Sequence, residues 1–366
     1  MLPNLLSLPV RLILALFTLG AIGACVGATP TPPPTPTTPP LAESITFYNW
    51  EGDDVQSVMD AFTETYGVKV NYVPFDSQEE VVANLTAGQP YDLVVLEHDF
   101  FPELITAGQL SEIDYRNVPN FKNIWANFRD LGHDPGNTHS VPFTWGSTFL
   151  IYRADLVDTP VTSWQDLWQL RSQGKIAMRS SLREPLGVAL KSLGYSINSE
   201  DPDELNQAYQ KLLELKDDII FVDSYAEAAV PLLADGEAVA LVGWAEDVEY
   251  AQAEGVPVDY VFPKEGAILW GDNFIIPASS QNKYTAELFL NFLLQPDINA
   301  QIVNETYYAT ANEAAQPLID AEIRDNPVIF PPAEALKNAE VILPLSPETT
   351  GLYSDLWAQF ESQVDQ

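Results

Sequence analysis

Short apolar runs alternate along the chain with segments in which apolar residues recur every three or four positions. The runs SITFYNW (44–50), VKVNYV (68–73) and YDLVVLE (91–97) predict β-strands, and the segments between them, 55–67 and 79–88, predict helices. Strands that alternate with helices in this way are typical of a parallel sheet covered by helices. The first part of the chain is therefore predicted to be an α/β lobe.

The same alternation restarts further along the chain. Strands are predicted for KIAMR (175–179), IIFVD (219–223) and AVALVGW (238–244), and helices for 184–194, 203–215, 224–234 and 246–254. A second α/β lobe is therefore expected. The later segment 286–312 is predicted to be helical and to pack back on the first lobe, so the chain would cross between lobes more than once. Such crossings predict a hinge, near residues 146–148 and 271–273, and a cleft between the lobes.

The N-terminal residues have a pattern of their own. Arg11 precedes thirteen apolar or small residues, too few to span a bilayer, which predicts a signal peptide over residues 1–24. The letters IGAC (22–25) resemble a bacterial lipobox, in which cleavage leaves Cys25 as the lipidated N-terminus. Because Cys25 is the only cysteine, no disulfide can form within the chain. The Pro- and Thr-rich segment that follows is expected to be an extended spacer.

These patterns predict four parts. They are a signal peptide (1–24), a lipidated Cys25 with a Pro/Thr-rich linker (25–43), a first lobe (44–146 plus 272–316) and a second lobe (147–271 plus 317–366). We find no internal repeat and no membrane-spanning segment after the linker. The protein is expected to work outside the cytoplasm, lipid-anchored to the cell membrane.

The net charge of the chain limits the classes of partner that it can bind. It has 52 Asp and Glu against 17 Lys and Arg, a formal net charge of −35. Such a surface keeps an exported protein soluble, repels nucleic acid and anionic lipid, and attracts cations. We expect no nucleic-acid partner.

Motifs of common enzyme classes are absent from the sequence. It has no G-x-S-x-G, no H-E-x-x-H and no G-x-x-x-x-G-K-[ST], and we expect no catalytic residue, no cofactor and no metal. A catalytic carboxylate pair stays open, because 52 acids make chance pairs inevitable. Iron bound by the adjacent Tyr307 and Tyr308 also stays open, although neighbouring side chains usually point to different sides of the backbone.

Tryptophans end three of the predicted strands, and acids follow two of them. Trp50 ends the first strand, Trp244 ends AVALVGW just before Asp247, and Trp270 and Asp272 close the stretch ILWGD. Residues i and i+2 of a strand share a face, so Trp270 and Asp272 are predicted to be neighbours. An indole beside a carboxylate suits a ligand ammonium group. The alternative is that Trp270 belongs to the apolar core and Asp272 to a turn, with no role in ligand binding.

A longer series of motifs resembles the spermidine/putrescine-binding proteins that serve ABC-type polyamine importers. The resemblance runs from Ile45 to Lys337 through FYNW, YDLVV, VPFTWGST, VTSWQDLW, LKSLGYS, FPKEGAILWGDNFIIP and NFLLQPDI. It implies an α/β, two-lobed periplasmic-binding-protein-like fold (type II), with a hinge between the lobes and a ligand cleft between them. It also implies a monomer that captures putrescine or spermidine and delivers it to an ABC permease.

The resemblance also implies roles for individual residues. The aromatic walls of the ligand site correspond to Trp50, Trp244, Trp270 and Tyr308. The carboxylates that bind ligand nitrogens correspond to Glu184, Asp247 and Asp272, and Asp247 matches an acid of putrescine-preferring members.

This chain departs from the spermidine-selective pattern at several positions. Ser181 stands where those proteins carry an Asp, Asp53 where they carry a Tyr, and Ile342 where they carry a Gln. An aromatic pair is replaced around His98 and Asp99. We therefore expect putrescine to bind at least as tightly as spermidine. Ferric iron, a different organic cation, and a secreted enzyme on the same scaffold are the alternatives.

Overall fold

The computed structural model describes residues 39–222 and 226–364. The predicted signal peptide, Cys25 and most of the predicted linker lie outside these residues. At the end of the linker, the backbone N–H of Ala42 donates a hydrogen bond to Thr285 Oγ1 at 3.0 Å, so the chain contacts the fold just before the first strand.

Strands and helices alternate along most of the described chain. The strands are β1 (Ser44–Trp50), β2 (Lys69–Phe75), β3 (Leu93–Glu97), β4 (Ser140–Arg153), β5 (Lys175–Arg179), β6 (Ile219–Val222), β7 (Ala238–Gly243), β8 (Val258–Val261), β9 (Ile268–Ile275), β10 (Ala309–Thr310) and β11 (Glu340–Val341). The helices are α1 (Gln56–Tyr66), α2 (Gln78–Thr86), α3 (Phe101–Thr106), α4 (Leu167–Leu170), α5 (Glu184–Leu193), α6 (Pro202–Leu213), α7 (Ala226–Ala234), α8 (Ala245–Ala253), α9 (Lys283–Leu293), α10 (Pro296–Thr306), α11 (Ala321–Arg324) and α12 (Pro347–Val364).

The strand–helix alternation predicted for the two lobes is confirmed, with bounds that differ by a few residues. Helix α1 ends where expected, because Gly67 adopts the left-handed conformation (φ 71°) that closes a helix. The segment 286–312, predicted to be helical, is helical as far as Thr306 except for a break before Pro296. Pro296, which cannot continue a helix, opens α10 instead, and the segment becomes two helices followed by β10.

The sheet is mixed, whereas the sequence pattern predicts a parallel one. Its strand order is β2-β1-β3-β9-β4-β7-β5-β6. Strands β1, β2 and β3 are parallel to one another, as are β5, β6 and β7, but β9 is antiparallel to β3 and to β4, and β4 is antiparallel to β7. Two parallel groups are thus joined by the antiparallel pair β4–β9.

Separate apolar clusters lie on the two sides of this central pair. On the first side, Phe47 of β1 and Phe62 of α1 pack with Phe289 of α9, so the chain does return to the first group of strands after β9. On the second side, Leu186 of α5 packs with Tyr353 of α12. This two-part architecture is the expected two-lobed fold. The exact lobe boundaries stay a prediction.

The central strands run from one part to the other without interruption. The sequence analysis places Trp270 and Asp272 at a strand end, but both lie inside the continuous strand Ile268–Ile275. Gly146 of β4 is the register partner of Trp270. A Cβ atom at Gly146 would lie 2.2 Å from Trp270 Cζ2, so the glycine allows the indole to lie across β4.

Within the described residues, no helix combines the length and the apolar character that crossing a membrane would require.

Candidate ligand-binding cleft

A cleft with a cavity volume of about 270 Å³ lies where the two groups of strands meet. Its aromatic lining consists of Trp50, Phe100, Trp244, Trp270 and Tyr308. Its acidic lining consists of Glu51, Asp53, Asp76, Glu79, Glu97, Asp99, Glu184 and Asp272, against which stand two basic residues, Arg179 and Arg183. The cleft is therefore both aromatic and strongly acidic.

Of the nine ligand-site residues predicted from the sequence, the structure brings eight to the cleft wall. They are Trp50, Asp53, Ser181, Glu184, Trp244, Trp270, Asp272 and Tyr308. The ninth, Asp247, does not line the cleft. The ligand contacts of these residues stay predictions.

One wall of the cleft is a chain of aromatic rings. The indoles of Trp244 and Trp270 lie 5.5 Å apart between centroids, at an interplanar angle of 56°. Tyr308 meets Trp270 edge to face, with centroids 5.5 Å apart. Each of the three residues comes from a different element, after β7, within β9 and before β10. Aromatic faces in this arrangement offer apolar surface and a negative π-cloud to a cation.

Trp50 and Asp272 meet although 222 positions separate them. Trp50 Nε1 donates a long hydrogen bond of 3.5 Å to Asp272 Oδ1, and Thr144 Oγ1 donates another of 3.5 Å to Oδ2. Asp272 is 7 % exposed. Burial raises the pKa of its carboxyl to about 7, although the two hydrogen bonds act in the opposite direction. A carboxylate this buried and this loosely held is suited to pairing with a ligand cation.

Glu97 lies beside Asp272. The two residues are register partners on the antiparallel strands β3 and β9, so their side chains share one face about 5 Å apart at Cβ. Burial raises the pKa of Glu97 well above its ordinary value, and the charges of Asp99 and Asp272 raise it further. The sequence places Glu97 at a strand end, but the predicted site residues do not include it, because its register with β9 follows only from the sheet.

Asp53 adds another acid from a tight turn after β1. Its backbone N–H donates to the carbonyl of Trp50 at 3.3 Å, and Gly52 between them has a left-handed φ of 87°. Burial raises the pKa of Asp53 well above its ordinary value, with further contributions from the charges of Glu246 and Asp272. The turn therefore brings Asp53 close enough to feel the acids of β9 and α8.

Glu184 supplies an acid from the second group of strands. It is the first residue of α5, where the helix dipole stabilises a negative charge. Its Oε1 accepts hydrogen bonds from Thr148 Oγ1 and, at 3.4 Å, from Trp244 Nε1. Burial raises its pKa despite the Thr148 bond. Ser181 Oγ accepts a hydrogen bond of 3.2 Å from the backbone N–H of Glu184, so this hydroxyl already has a partner within the chain.

Asp247 is buried and paired with Arg179, and its predicted ligand contact stays a prediction. Its side chain is 0 % exposed and forms a bidentate ion pair with Arg179, with both N–O distances 2.9 Å. Its Oδ2 also accepts the backbone N–H of Trp244 at 2.7 Å. The sequence places Asp247 correctly in the first turn of α8, but it cannot show that a cation from β5 reaches it first.

The second arginine of the cleft is also paired. Arg183 Nη1 lies 3.4 Å from Asp99 Oδ2, and Nη2 donates to Asn198 Oδ1 at 3.0 Å. The pKa of Asp99 is raised by burial, and the Arg183 charge opposes that shift. Asp99 is therefore partly neutralised, in contrast to Glu97 and Asp272.

The ring of His98 connects strand β9 to the residue that follows β11 through two hydrogen bonds. Its Nδ1 lies 3.0 Å from the carbonyl oxygen of Gly271, and its Nε2 lies 2.7 Å from the carbonyl oxygen of Ile342. Carbonyl oxygens only accept, so both bonds form together only when both ring nitrogens carry a proton. The His98 ring stacks on His133, with centroids 4.5 Å apart.

A metal ion has no evident ligand set in this cleft. Within residues 39–222 and 226–364, no group of three or more His, Cys, Asp or Glu is arranged to hold one. Tyr307 packs edge to face with Tyr250, whereas Tyr308 packs on Trp270. The two tyrosines therefore belong to different apolar clusters, which disfavours shared iron coordination.

Comparison with known proteins agrees with this architecture. Residues 57–331 match the family described as bacterial extracellular solute-binding protein. The chain is 35 % identical over 297 residues to the spermidine/putrescine-binding periplasmic protein of Escherichia coli (strain K12), covering 80 % of this chain and 85 % of that one. It is 33 % identical over 342 residues to the putrescine-binding periplasmic protein PotF of the same organism, covering 87 % and 92 %.

A solved structure shows the same fold. The spermidine/putrescine ABC transporter substrate-binding protein PotD from Streptococcus pneumoniae superposes with a TM-score of 0.74 at 30 % identity, covering 88 % of this chain and 100 % of that one. The chain belongs to the bacterial extracellular solute-binding proteins. The two Escherichia coli relatives are periplasmic binding proteins, and the Streptococcus pneumoniae protein is an ABC transporter substrate-binding protein.

Proposed function

We propose that this protein captures a linear polyamine outside the cytoplasm and delivers it to the permease of an ABC importer. The observation that carries the proposal is the pair of adjacent carboxylates, Glu97 and Asp272, on the floor of a cleft walled by Trp50, Trp244 and Trp270. Two relatives are named as putrescine- or spermidine-binding proteins, which supports the same cargo.

The chemistry of a polyamine fits the two kinds of surface in the cleft. Its ammonium groups pair with carboxylates, and its methylene groups lie on indole faces. Buried carboxylates with raised pKa values, such as Asp272, Glu97 and Glu184, are poorly compensated without a cation. A bound diamine would supply the missing positive charge and favour the ionised forms. Binding then draws its free energy from charges that the fold itself leaves incompletely paired.

The proposal includes no chemical step. The acids act as hydrogen-bond acceptors and counter-ions, and release follows opening of the cleft about the central strands β4 and β9. The protein acts as a monomer that is anchored to the membrane by a lipid on Cys25. Metabolic labelling with palmitate of wild type and Cys25→Ser tests the anchor, and loss of label in the variant is the expected result.

A ligand panel tests the cargo. Thermal unfolding of the protein is measured with putrescine, spermidine, ferric iron, γ-aminobutyrate and maltose, followed by calorimetry for every ligand that shifts the midpoint. A ligand at about 100 times its Kd stabilises the protein by about 2.7 kcal/mol, which a thermal scan detects readily. We expect shifts with polyamines only.

A matched pair of variants makes the panel specific for the cleft. Glu97→Gln removes one carboxylate of the cleft floor, and Asp355→Asn removes an exposed carboxylate of α12. Glu97→Gln is expected to weaken polyamine binding at least about 30-fold, the effect of losing one partner of a buried charge pair, and Asp355→Asn to leave it unchanged. A midpoint shift with iron or maltose and none with either polyamine would refute the proposed cargo.

A further inference from the structure

One end of the acidic cleft already holds a cation that belongs to the protein. Arg179, the last residue of β5, lines the cleft and is 3 % exposed. Its guanidinium makes two parallel bonds of 2.9 Å to Asp247 and lies 3.7 Å from Glu246 Oε1. Its Cζ lies 3.8 Å from the centroid of the Trp244 ring.

These contacts are the ones that a ligand ammonium group would make. A fully buried carboxylate provides the counter-charge, and an indole face provides the cation–π contact. Here the guanidinium of Arg179 occupies both the carboxylate of Asp247 and the indole face of Trp244. Both oxygens of Asp247 are also committed, Oδ1 to Arg179 and Oδ2 to Arg179 and the backbone N–H of Trp244.

The remaining acids come from both groups of strands. Glu97 and Asp272 are on the antiparallel strands β3 and β9, Asp53 follows β1, and Glu184 opens α5. None of these four carboxylates has an arginine within ion-pair distance among the described residues. A ligand can therefore be anchored at these four acids without displacing Arg179.

We infer that Arg179 is a tethered cation that fills an amine subsite and thereby restricts the cleft to short ligands with two ammonium groups. Arg179 is thus a specificity-determining residue, acting by occupancy. A triamine that reaches Asp247 with its additional ammonium group meets the guanidinium there, and two buried cations at one carboxylate repel each other. The inference rests on the proposed polyamine function and specifies which members of that ligand class bind.

The test compares the affinity ratio of spermidine to putrescine in four proteins by calorimetry at one pH and ionic strength. They are wild type, Arg179→Ala, the double variant Arg179→Ala/Asp247→Asn, and Arg171→Ala as a control outside the cleft. Arg179→Ala empties the subsite but keeps its acid, so the ratio is expected to rise at least tenfold in favour of spermidine. In the double variant the acid is gone as well, and the ratio is expected to stay within threefold of wild type, as in the control.

Two results would overturn the inference while leaving the proposed function intact. In one, the wild type binds both amines and the affinity ratio of spermidine to putrescine is the same in Arg179→Ala as in wild type. The other is a crystal structure of the wild-type spermidine complex in which a ligand nitrogen contacts Asp247 and Arg179 has moved away. This second measurement needs no variant, so it decides the matter even if Arg179→Ala fails to fold. A wild type that binds neither amine contradicts the proposed function itself.

Discussion

Glu97 and Asp272 face the same side of two neighbouring antiparallel strands, as register partners of β3 and β9. Two carboxylates directly opposite each other destabilise a strand pair, and burial adds to the cost. The fold therefore carries a local instability at its cleft that a bound cation would relieve.

Asp272→Asn is expected to weaken polyamine binding at least about 30-fold while preserving the shape of the side chain. The charge of one partner in a buried pair is lost, which typically costs about 2–5 kcal/mol. Calorimetric titration of putrescine into wild type and variant measures the effect. The exposed Asp355→Asn serves as the control, and a loss of less than threefold at Asp272 would mean that its carboxylate does not contact the ligand.

The same variant is expected to stabilise the ligand-free protein at pH 8. Burial raises the pKa of Asp272 to about 7 from an ordinary 3.8, so the fold favours the protonated carboxyl. Its contribution to the free energy of unfolding therefore falls as pH rises from about 4 to 7 and is least favourable above pH 7. Asparagine carries no charge and avoids this loss.

Thermal scans across that range measure this effect. The midpoint of Asp272→Asn should exceed that of wild type by a few degrees at pH 8, at about 2–4 °C per kcal/mol. The difference should shrink toward pH 4, where wild-type Asp272 is protonated. An equal midpoint at pH 8 would show that the buried carboxylate is compensated within the fold.

Polyamine affinity is expected to fall as pH is lowered from 8 to 6. An ammonium group binds the ionised carboxylate, and Asp272 with a pKa of about 7 is largely protonated at pH 6. The raised pKa values of Glu97 and Asp53 act in the same direction. Calorimetry in two buffers of different ionisation enthalpy should detect proton release on binding at pH 7. Binding without proton release would contradict protonated carboxyls in the free cleft.

Gly146→Ala is expected to destabilise the protein by about 1–3 kcal/mol and to weaken ligand binding, because a new Cβ would force the Trp270 indole to move. Gly132→Ala is the matched control, since a Cβ there meets no atom within 4 Å. Urea unfolding and putrescine titration of both variants measure the two effects. Equal stability of the two variants would show that the wall of the cleft tolerates displacement of Trp270.

Local patterns predicted much of the fold. Period-two and period-3.6 apolar spacing is a property of neighbouring residues, so the sequence locates β1, α1, β5 and α5 within a few positions. The same local rule places Trp270 and Asp272 on one face of β9. The helical prediction for 286–312 misses the break between α9 and α10, where Pro296 begins a new helix, and the strand β10 that follows.

The partners of the cleft acids depend instead on the tertiary structure. Asp247 belongs to α8 and Arg179 to β5, 68 positions apart, and only the parallel pairing of β5 with β7 places the guanidinium at the start of that helix. Glu97 and Asp272 are 175 positions apart and become neighbours through the register of β3 on β9. The sequence determined which side chains are able to bind a cation, because charge and aromaticity belong to single residues. Which of them remain available to a ligand was decided by the fold, since neutralisation is a matter of distance between residues far apart in the chain.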